Sequence, residues 1–247
     1  MLKTTVDGPL AADRSVLCLS PQTRRTWFLV TIGWLVAVAG CFAWITDYGL
    51  RTNPSNLSQD VANWPSQSSL PLADQSPTLV LFLHPKCSCS EATVGELQKI
   101  LSAVATQSSP LPNTLIVASM PTNEPSDWRD SRLNQRAQTL PNSTLVPDHQ
   151  GIECARFGVN TSGTVMLFDP AGKQLFSGGV TTARGQAGES RAGGWLRTLL
   201  TQHDATHHPH PDRDMCVVQP AFGCKLLSPP ASLRLTSSTL PTRESNR

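Results

Sequence analysis

Residues 78–90 read TLVLFLHPKCSCS and decide the fold of this chain. The run 78–83 is apolar after its first residue and does not alternate, which is typical of a strand buried on both faces of a helix-flanked sheet. Two cysteines, Cys87 and Cys89, follow it. In residues 91–107, EATVGELQKILSAVATQ, apolar residues recur every three or four positions and predict an amphipathic helix. The sequence therefore predicts a strand and a helix joined at a pair of thiols.

The residues that follow predict the rest of an α/β domain, in the order β-α-β-α-β-β-α. Residues 115–118 (LIVA) indicate a second buried strand, and a short helix is expected between residues 128 and 133. Residues 164–168 and 174–177 flank a Pro-Gly turn and predict a β-hairpin. The apolar residues of segment 195–200 share one helical face and predict the last helix.

Residues 27–46, WFLVTIGWLVAVAGCFAWIT, predict one transmembrane helix before this domain. The run has no charged residue, and its 20 residues, at about 1.5 Å of rise each, match a hydrocarbon core of about 30 Å. Two arginines precede the run and Asp47 follows it, so the positive-inside rule places the N-terminus in the cytoplasm. We therefore predict a cytoplasmic tail at 1–25, a transmembrane helix at 26–46, and the later residues on the non-cytoplasmic side, which is the periplasm in a bacterium.

This region also shares features with three other kinds of leader. A secretory signal normally has an apolar run of about 7 to 15 residues, whereas this run continues to Ile45, which favours an uncleaved anchor. Residues 38–41 (VAGC) resemble a bacterial lipoprotein cleavage box ending at Cys41, and residues 23–25 (TRR) weakly resemble a twin-arginine signal. Either signal would change the anchor and leave the domain on the same side of the membrane.

Polar segments without sustained periodicity lie on both sides of the domain, which we expect to cover residues 78–205. Residues 47–77 are rich in Ser, Asn, Gln, Asp and Pro and predict a flexible linker. Residues 206–247 are again polar and Pro-rich and predict a disordered tail. Four of the six histidines fall within residues 203–210, where a proline interrupts them, and we favour a solvated segment over a metal site.

Composition and charge exclude several classes of function. Only 15% of the 247 residues are charged and the net charge is +2, without a basic stripe, which excludes a nucleic-acid partner. The glycines of residues 178–188 lack the Walker lysine and the nucleotide fingerprint, so no cofactor is predicted. Seven cysteines are an odd number and too sparse for a small disulfide-stapled domain, which favours reactive or metal-binding thiols.

The position of Cys87 predicts a reactive thiol. At a helix N-terminus, unpaired backbone N–H groups stabilise a thiolate and lower its pKa below about 8.5. Lys86 and, when it is protonated, His84 would add positive potential, and a serine on either side of Cys89 can cap the helix. We therefore predict Cys87 as the nucleophile and Cys89 as the resolving thiol. Because a disulfide between residues two apart closes a strained ring, the site is expected to be oxidising.

Short motifs along the domain are arranged as in a known family. They are HPKCSC (84–89), Phe157-Gly158, TSG (161–163), FSGG (176–179) and Arg184-Gly185. Together they resemble the RedB group of membrane-anchored proteins in the thioredoxin-like superfamily, over roughly the whole predicted domain. The resemblance implies a thioredoxin-like fold and thiol-disulfide oxidoreductase-like activity on protein or small-molecule thiols and disulfides.

The site departs from the superfamily pattern at two positions. The usual C-x-x-C pair is replaced by Cys-Ser-Cys, because Ser90 stands three positions after Cys87. The cis-proline that normally faces the cysteines aligns with Gly163, so the backbone edge that binds a substrate is expected to have a different shape. We include Gly163, with His84 and Lys86, among the residues that modulate the site.

The same residues fit two alternative functions. His84, Cys87 and Cys89 form a soft ligand set suited to Cu(I) or Zn, which fits a metal-binding or metal-chaperone module. The other alternative is a thioredoxin-fold interaction domain without catalysis, so the sequence leaves open whether the protein is an enzyme.

The pairing of the remaining cysteines is also open. Cys154 lies in a predicted helical segment, where a buried core thiol fits. Cys216 and Cys224 can form a disulfide with each other, or one of them can bridge back to Cys87 or Cys89.

Overall fold

The computed structural model describes residues 21–50, 63–107, 109–201 and 216–229. Most of the predicted cytoplasmic tail and the histidine-rich segment lie outside these ranges. The chain divides into two compact units, Met1–Tyr48 and Gly49–Arg247.

The first unit contains a helix long and apolar enough to cross a membrane. This helix, α1, runs from Pro21 to Leu50 and extends beyond the predicted span 26–46 at both ends. The hydroxyls of Thr26, Thr31 and Thr46 each donate to the carbonyl four residues earlier, at 2.8–3.0 Å. These hydroxyls are therefore paired inside the helix, as a hydrocarbon surrounding requires. A signal sequence meets the same criteria of length and composition.

The described part of the second unit contains six strands and five helices. They are β1 (Thr78–Leu83), α2 (Ser90–Thr106), β2 (Asn113–Met120), α3 (Ser126–Arg129), α4 (Arg132–Ala137), β3 (Ser143–His149), α5 (Ile152–Arg156), β4 (Thr164–Phe168), β5 (Gln174–Gly178), α6 (Arg191–Thr201) and β6 (Val217–Val218).

The strand order confirms the predicted thioredoxin-like fold. One sheet has the order β3-β2-β1-β4-β5-β6, with β1 parallel to β2 and antiparallel to β4. Strands β4 and β5 form the predicted antiparallel hairpin. The structure adds two strands that the sequence did not predict, β3 and β6, at the two ends of the sheet. β3 contains Pro147, and an edge strand is where a proline is tolerated within a sheet.

The core lies on both faces of the sheet. Side chains of β1 alternate between two hydrophobic clusters, which explains its uninterrupted apolar sequence. Leu81 and Leu97 belong to the cluster that packs the sheet against α2, α4 and α6. Phe82 and Phe157 belong to the cluster on the opposite face. The first cluster fixes α2 against β1, and the predicted thiols lie where these two elements meet.

The predicted flexible linker 47–77 differs from the structure over residues 63–77, which pack onto the domain. The ring of Trp64 meets Phe157 and Phe168 edge to face, with centroids 5.1 and 5.0 Å apart. Leu70 is buried, and Ser69 donates from both its amide and its hydroxyl to the Glu153 carboxylate. The polar composition of this segment did not predict this packing, because isolated residues rather than a periodic apolar pattern attach it to the domain.

The predicted disordered tail 206–247 differs from the structure over residues 216–229, which we call the C-terminal strap. β6 lies parallel to β5, and the buried side chains of Ala221, Phe222 and Leu226 continue the contact. The strap is held mainly by backbone hydrogen bonds to residues distant in sequence, so its own composition carries little signal.

Glycines give the strap room to approach the domain. A Cβ added at Gly223 would lie 1.9 Å from the carbonyl oxygen of Ser162. At Gly178, where φ is +141°, a Cβ would lie 2.1 Å from the carbonyl oxygen of Gln219. Larger residues at these two positions would push the strap away from the sheet.

Candidate functional site

The candidate site lies where β1 ends and α2 begins. The amide of Cys87 donates to His84 O at 2.9 Å, and the amide of Ser90 donates to Cys87 O at 3.2 Å. This turn brings Cys87 to the start of α2, with Cys89 as the residue that caps the helix. The serine cap predicted from the sequence is wrong, because Cys89 is the N-cap residue and its side chain makes no capping hydrogen bond.

Ser90 instead belongs to a hydrogen-bond chain that ends on sulfur. The amide of His84 donates to Ser162 Oγ at 2.8 Å, and Ser162 Oγ lies 2.8 Å from Ser90 Oγ. Ser90 in turn donates its hydroxyl proton to Cys87 Sγ. Because a hydroxyl has one proton, a Ser90 hydroxyl that donates to sulfur must accept from Ser162, so the hydrogen bonds run from the His84 amide through both serines to Cys87.

Three sulfurs meet at this point, rather than two. The Sγ atoms of Cys87, Cys89 and Cys224 all lie within 4.8 Å of one another. The amide of Cys224 donates to Cys87 Sγ at 3.4 Å. Of the pairings that the sequence left open, the structure therefore brings Cys224 of the strap to both predicted site cysteines. Cys87 lies beneath this contact and is only 1% exposed.

The surroundings of Cys87 favour its thiolate. Burial alone would raise the pKa of Cys87. Hydrogen bonds from the thiol and amide of Cys224 and from the hydroxyl and amide of Ser90 lower it by more than burial raises it, so the pKa lies below its ordinary value. The predicted thiolate at the helix N-terminus is thus stabilised by specific donors as well as by its position.

The two neighbouring thiols keep their protons. Burial and the charge of Cys87 raise the pKa of Cys89, although the charge of Arg184 opposes them. Burial, then the hydrogen bond to Cys87 and the charge of Cys87, raise the pKa of Cys224 to about 12. Cys87 is therefore the thiol of this cluster that ionises first.

His84 and Lys86 supply less positive charge than the sequence predicts. Burial lowers the pKa of His84, which makes the ring neutral at pH 7, and its Nδ1 accepts a hydrogen bond from the Lys86 amide at 3.2 Å. The ring packs against Trp128, with centroids 4.9 Å apart. The ammonium of Lys86 forms an ion pair with Asp127. The positive potential that a protonated His84 would add is therefore absent at neutral pH.

His84 also lies outside the group of potential metal ligands. Among the residues that the structure describes, the group that could hold an ion is Cys87, Cys89 and Cys224. Cys224 thus takes the place of His84 in the predicted ligand set, and the donors become three sulfurs.

Gly163 occupies the position opposite the start of α2, as the resemblance implies. Its φ is +87°, and its amide donates to Phe82 O at 2.8 Å. A Cβ here would lie 2.9 Å from Thr93 Oγ1 and 3.4 Å from Ser90 Oγ. No cis peptide occurs in the described parts of the chain. The edge beside the thiols therefore differs from one formed by a cis-proline.

The other described cysteines of the second unit, Cys154 and Cys216, lie outside this group of sulfurs. Cys154 is fully buried in the aromatic core, and burial, with the Asp148 carboxylate, raises its pKa well above the ordinary value, which confirms the predicted core thiol. Cys216 begins the strap and burial raises its pKa. Cys41 lies exposed on α1.

The sequence patterns assigned no role to Ser162 and Arg184, which shape the site, and they left the pairing of Cys224 open. Ser162 and Arg184 stand in the motifs that carry the family resemblance, which was a signal for them. Cys224 had a weaker signal, because it was one of two tail cysteines available for bridging. Cys224 lies 137 positions after Cys87 in the sequence, and a contact between such distant residues leaves no local sequence pattern.

Comparison with known proteins found distant structural similarity. Neither a scan with protein-family models nor a search of curated proteins gave a match. An uncharacterized conserved protein from Geobacillus kaustophilus is 14% identical, with a TM-score of 0.49 over 65% of this chain and 81% of that one. A secreted disulfide oxidoreductase from Mycobacterium tuberculosis is 16% identical, with a TM-score of 0.34 over 51% of this chain and 82% of that one. An exposed lipoprotein thioredoxin from Streptococcus pneumoniae is 17% identical, with a TM-score of 0.34 over 51% and 84%.

These similarities are too distant to carry a functional argument. The strand order and the position of the thiols described above establish the fold independently. The domain has a thioredoxin-like fold.

Proposed function

We propose that this protein is a membrane-anchored, extracytoplasmic thiol-disulfide oxidoreductase in which Cys87 is the nucleophile. The observation that carries the proposal is a thiol with a lowered pKa held within 4.8 Å of two protonated thiols. A nucleophilic thiolate beside a second thiol is what two-step disulfide exchange needs.

The exchange begins when the Cys87 thiolate attacks one sulfur of a substrate disulfide. A mixed disulfide forms, and the other substrate sulfur leaves as a thiolate that takes up a proton. A second thiol of the site then loses its proton and attacks Cys87, which releases the second substrate sulfur. The substrate gains two electrons and the protein gains one disulfide. The sequence assigns the second thiol to Cys89, and the structure offers Cys224 as well.

The proposed location follows from α1 and its flanks. Arg24 and Arg25 precede the apolar run and Asp47 follows it, which favours a cytoplasmic N-terminus and an external domain. A stable disulfide requires an oxidising compartment, so this location fits the chemistry. The RedB-type resemblance supports the same arrangement of one anchor and one thioredoxin-like domain.

Redox titration of the full-length protein in detergent tests this function. The protein is equilibrated in glutathione buffers of graded potential, quenched in acid and alkylated, and the number of free thiols is read by mass spectrometry. We expect two thiols to disappear together as a two-electron couple. Cys216→Ser is the matched control and should keep the couple. If all thiols remain alkylatable at every potential, the oxidoreductase proposal is wrong and an interaction domain is the better description.

A second candidate function is the binding of a soft metal ion by the three sulfurs. Thiolate ligands select Cu(I) and Zn over harder cations. Metal-sulfur bonds of about 2.3 Å place ligand sulfurs about 4 Å apart, so the limit of 4.8 Å requires only a small contraction. Three thiolates suit three-coordinate Cu(I), and Zn would need a fourth ligand.

Competition for Cu(I) with bathocuproine disulfonate tests the metal function on the reduced full-length protein under anaerobic conditions. We expect one equivalent to bind. Serine at any one of Cys87, Cys89 and Cys224 should weaken binding more than about tenfold. His84→Ala should leave the affinity unchanged, because the imidazole is not in the group. An equal loss of Cu(I) affinity in the His84 variant and in the cysteine variants would favour the ligand set predicted from sequence. If the native protein binds no Cu(I), the metal-binding proposal is wrong.

A further inference from the structure

We propose that Cys224 is the thiol that resolves Cys87, so that the oxidised protein contains a Cys87–Cys224 disulfide that locks the C-terminal strap over the site. This inference rests on the proposed oxidoreductase function and specifies how its second step occurs. It also gives the strap a role in controlling access to the nucleophile.

The first support is the direct contact between the two residues. Cys224 donates its amide to Cys87 Sγ at 3.4 Å, and the two sulfurs lie within 4.8 Å. A disulfide needs a sulfur separation of about 2.05 Å. Closing this gap requires a shift of under about 3 Å in side chains that already face each other.

The second support is that Cys89 is less suited to the same step. The Ser90 amide bonds to Cys87 O across the turn that starts α2, and Cys89 has helical angles (φ −62°, ψ −31°). Side chains two residues apart in a helical turn point in different directions. A Cys87–Cys89 disulfide would therefore distort this turn, whereas a Cys87–Cys224 disulfide requires only an adjustment of the strap.

The third support is that the strap holds Cys224 in position before oxidation. The Ser162 amide donates to Cys224 O at 2.8 Å, and the Leu226 amide donates to Asn160 O at 2.9 Å. Gly223, the residue before Cys224, approaches Ser162 O so closely that a Cβ there would lie at 1.9 Å. Positioning of this kind raises the effective concentration of the resolving thiol.

The burial of Cys87 links the strap to substrate access. Cys87 is 1% exposed, so a substrate disulfide reaches its sulfur only when the strap is displaced. In the reduced protein, hydrogen bonds and side-chain packing hold the strap at this point. After oxidation a covalent bond holds it, and the nucleophile stays closed until a reducing dithiol cleaves the bond.

The catalytic cycle has a resolving step and a return step. The Cys224 thiol loses its proton and its sulfur attacks Cys87 Sγ of the mixed disulfide, which breaks the bond to the substrate sulfur, and the departing substrate thiolate takes up a proton. In the return step an external dithiol reduces Cys87–Cys224 to two thiols and becomes a disulfide itself. Two electrons pass from that dithiol to the original substrate.

Peptide mapping of the oxidised full-length protein tests the pairing directly. Trypsin cleaves after Lys86, Lys99, Arg213 and Lys225, which yields peptides 87–99 and 214–225. A Cys87–Cys224 disulfide joins these two peptides, whereas a Cys87–Cys89 disulfide stays within the first. The double variant Cys89→Ser/Cys216→Ser leaves one cysteine in each peptide and makes the pairing unambiguous. We expect the joined peptides in the native protein and in this variant.

Trapping of the mixed disulfide tests the catalytic step. After reaction with oxidised glutathione, Cys224→Ser should accumulate the adduct on Cys87, while Cys89→Ser and Cys216→Ser should resolve it. Gly223→Ala should also accumulate the adduct, because it displaces the strap without removing a thiol. Gly194→Ala, where a Cβ meets nothing within 4 Å, is the matched control and should behave as the native protein.

The outcomes separate this inference from the proposed function. A two-electron couple confined to peptide 87–99, with adduct accumulating in Cys89→Ser, would overturn the role of Cys224 and keep the oxidoreductase function. Loss of any couple would overturn both.

Discussion

Replacing Cys87 by serine should reduce thiol-disulfide exchange by this protein to the rate of the uncatalysed reaction. The thiolate is the nucleophile, and a serine hydroxyl does not ionise at neutral pH. Cys87 is the one thiol of the cluster whose pKa lies below its ordinary value, because the donors from Cys224 and Ser90 outweigh its burial. The variant should still fold, since a hydroxyl oxygen can accept the same hydrogen bonds.

The measurement is the initial rate of reduction of a small aromatic disulfide as a function of pH. The native rate should rise with pH up to the pKa of Cys87 and level off above it, because protonation below that pKa removes the thiolate. In Cys87→Ser the charge of Cys87 no longer raises the pKa of Cys89 and Cys224, but burial, which is the largest cause for both, still does. Any residual rate should therefore appear only at higher pH. Cys216→Ser is the control with an unchanged profile. A Cys87→Ser variant that keeps the native rate near neutral pH would contradict the assignment of the nucleophile.

Phe157→Ala should lower the free energy of unfolding of the folded domain by about 3–5 kcal/mol. Phe157 is 1% exposed and lies at the centre of an aromatic cluster. Its ring centroid lies 5.1 Å from Trp64, 5.4 Å from Phe82 and 5.8 Å from Phe168. Truncation removes all three contacts and leaves a cavity that a packed core fills only in part.

Urea unfolding of the full-length protein, followed by tryptophan fluorescence, measures this change. Trp195→Ala on α6 is a suitable control, because that side chain is 48% exposed and should cost far less. The Phe157 variant should also make residues 63–77 more susceptible to proteolysis, since Trp64 loses a packing partner. A loss in the free energy of unfolding no larger than that of the control would show that the cluster does not stabilise the domain.

Local sequence patterns predicted the central part of the fold. The apolar run of β1, the helical spacing of α2 and the Pro-Gly turn between β4 and β5 each reflect contacts that repeat along one element. β3 was missed because Pro147 interrupts a short run of apolar residues. The segments 63–77 and 216–229 were missed for a different reason, since isolated residues and backbone hydrogen bonds attach them to distant parts of the chain.

The same distinction applies to the candidate site. The turn after β1 places Cys87 and Cys89 together, and sequence spacing was enough to find them. The charge state of His84 depends on its burial beside Trp128, and the approach of Cys224 depends on how the whole strap crosses the domain. Neither property is encoded near the residue that it affects.

The short pairing of β6 with β5 has a consequence for how molecules meet one another. An unpaired outer strand presents a row of amide and carbonyl groups to which another chain can add a strand. β6 occupies that position at Phe176 and Ser177, and the Gln219 amide extends the cover by donating to Ser177 O at 2.8 Å. While these bonds are in place, the outer edge on this side of the sheet is β6, which is only two residues long and offers little length for intermolecular strand addition.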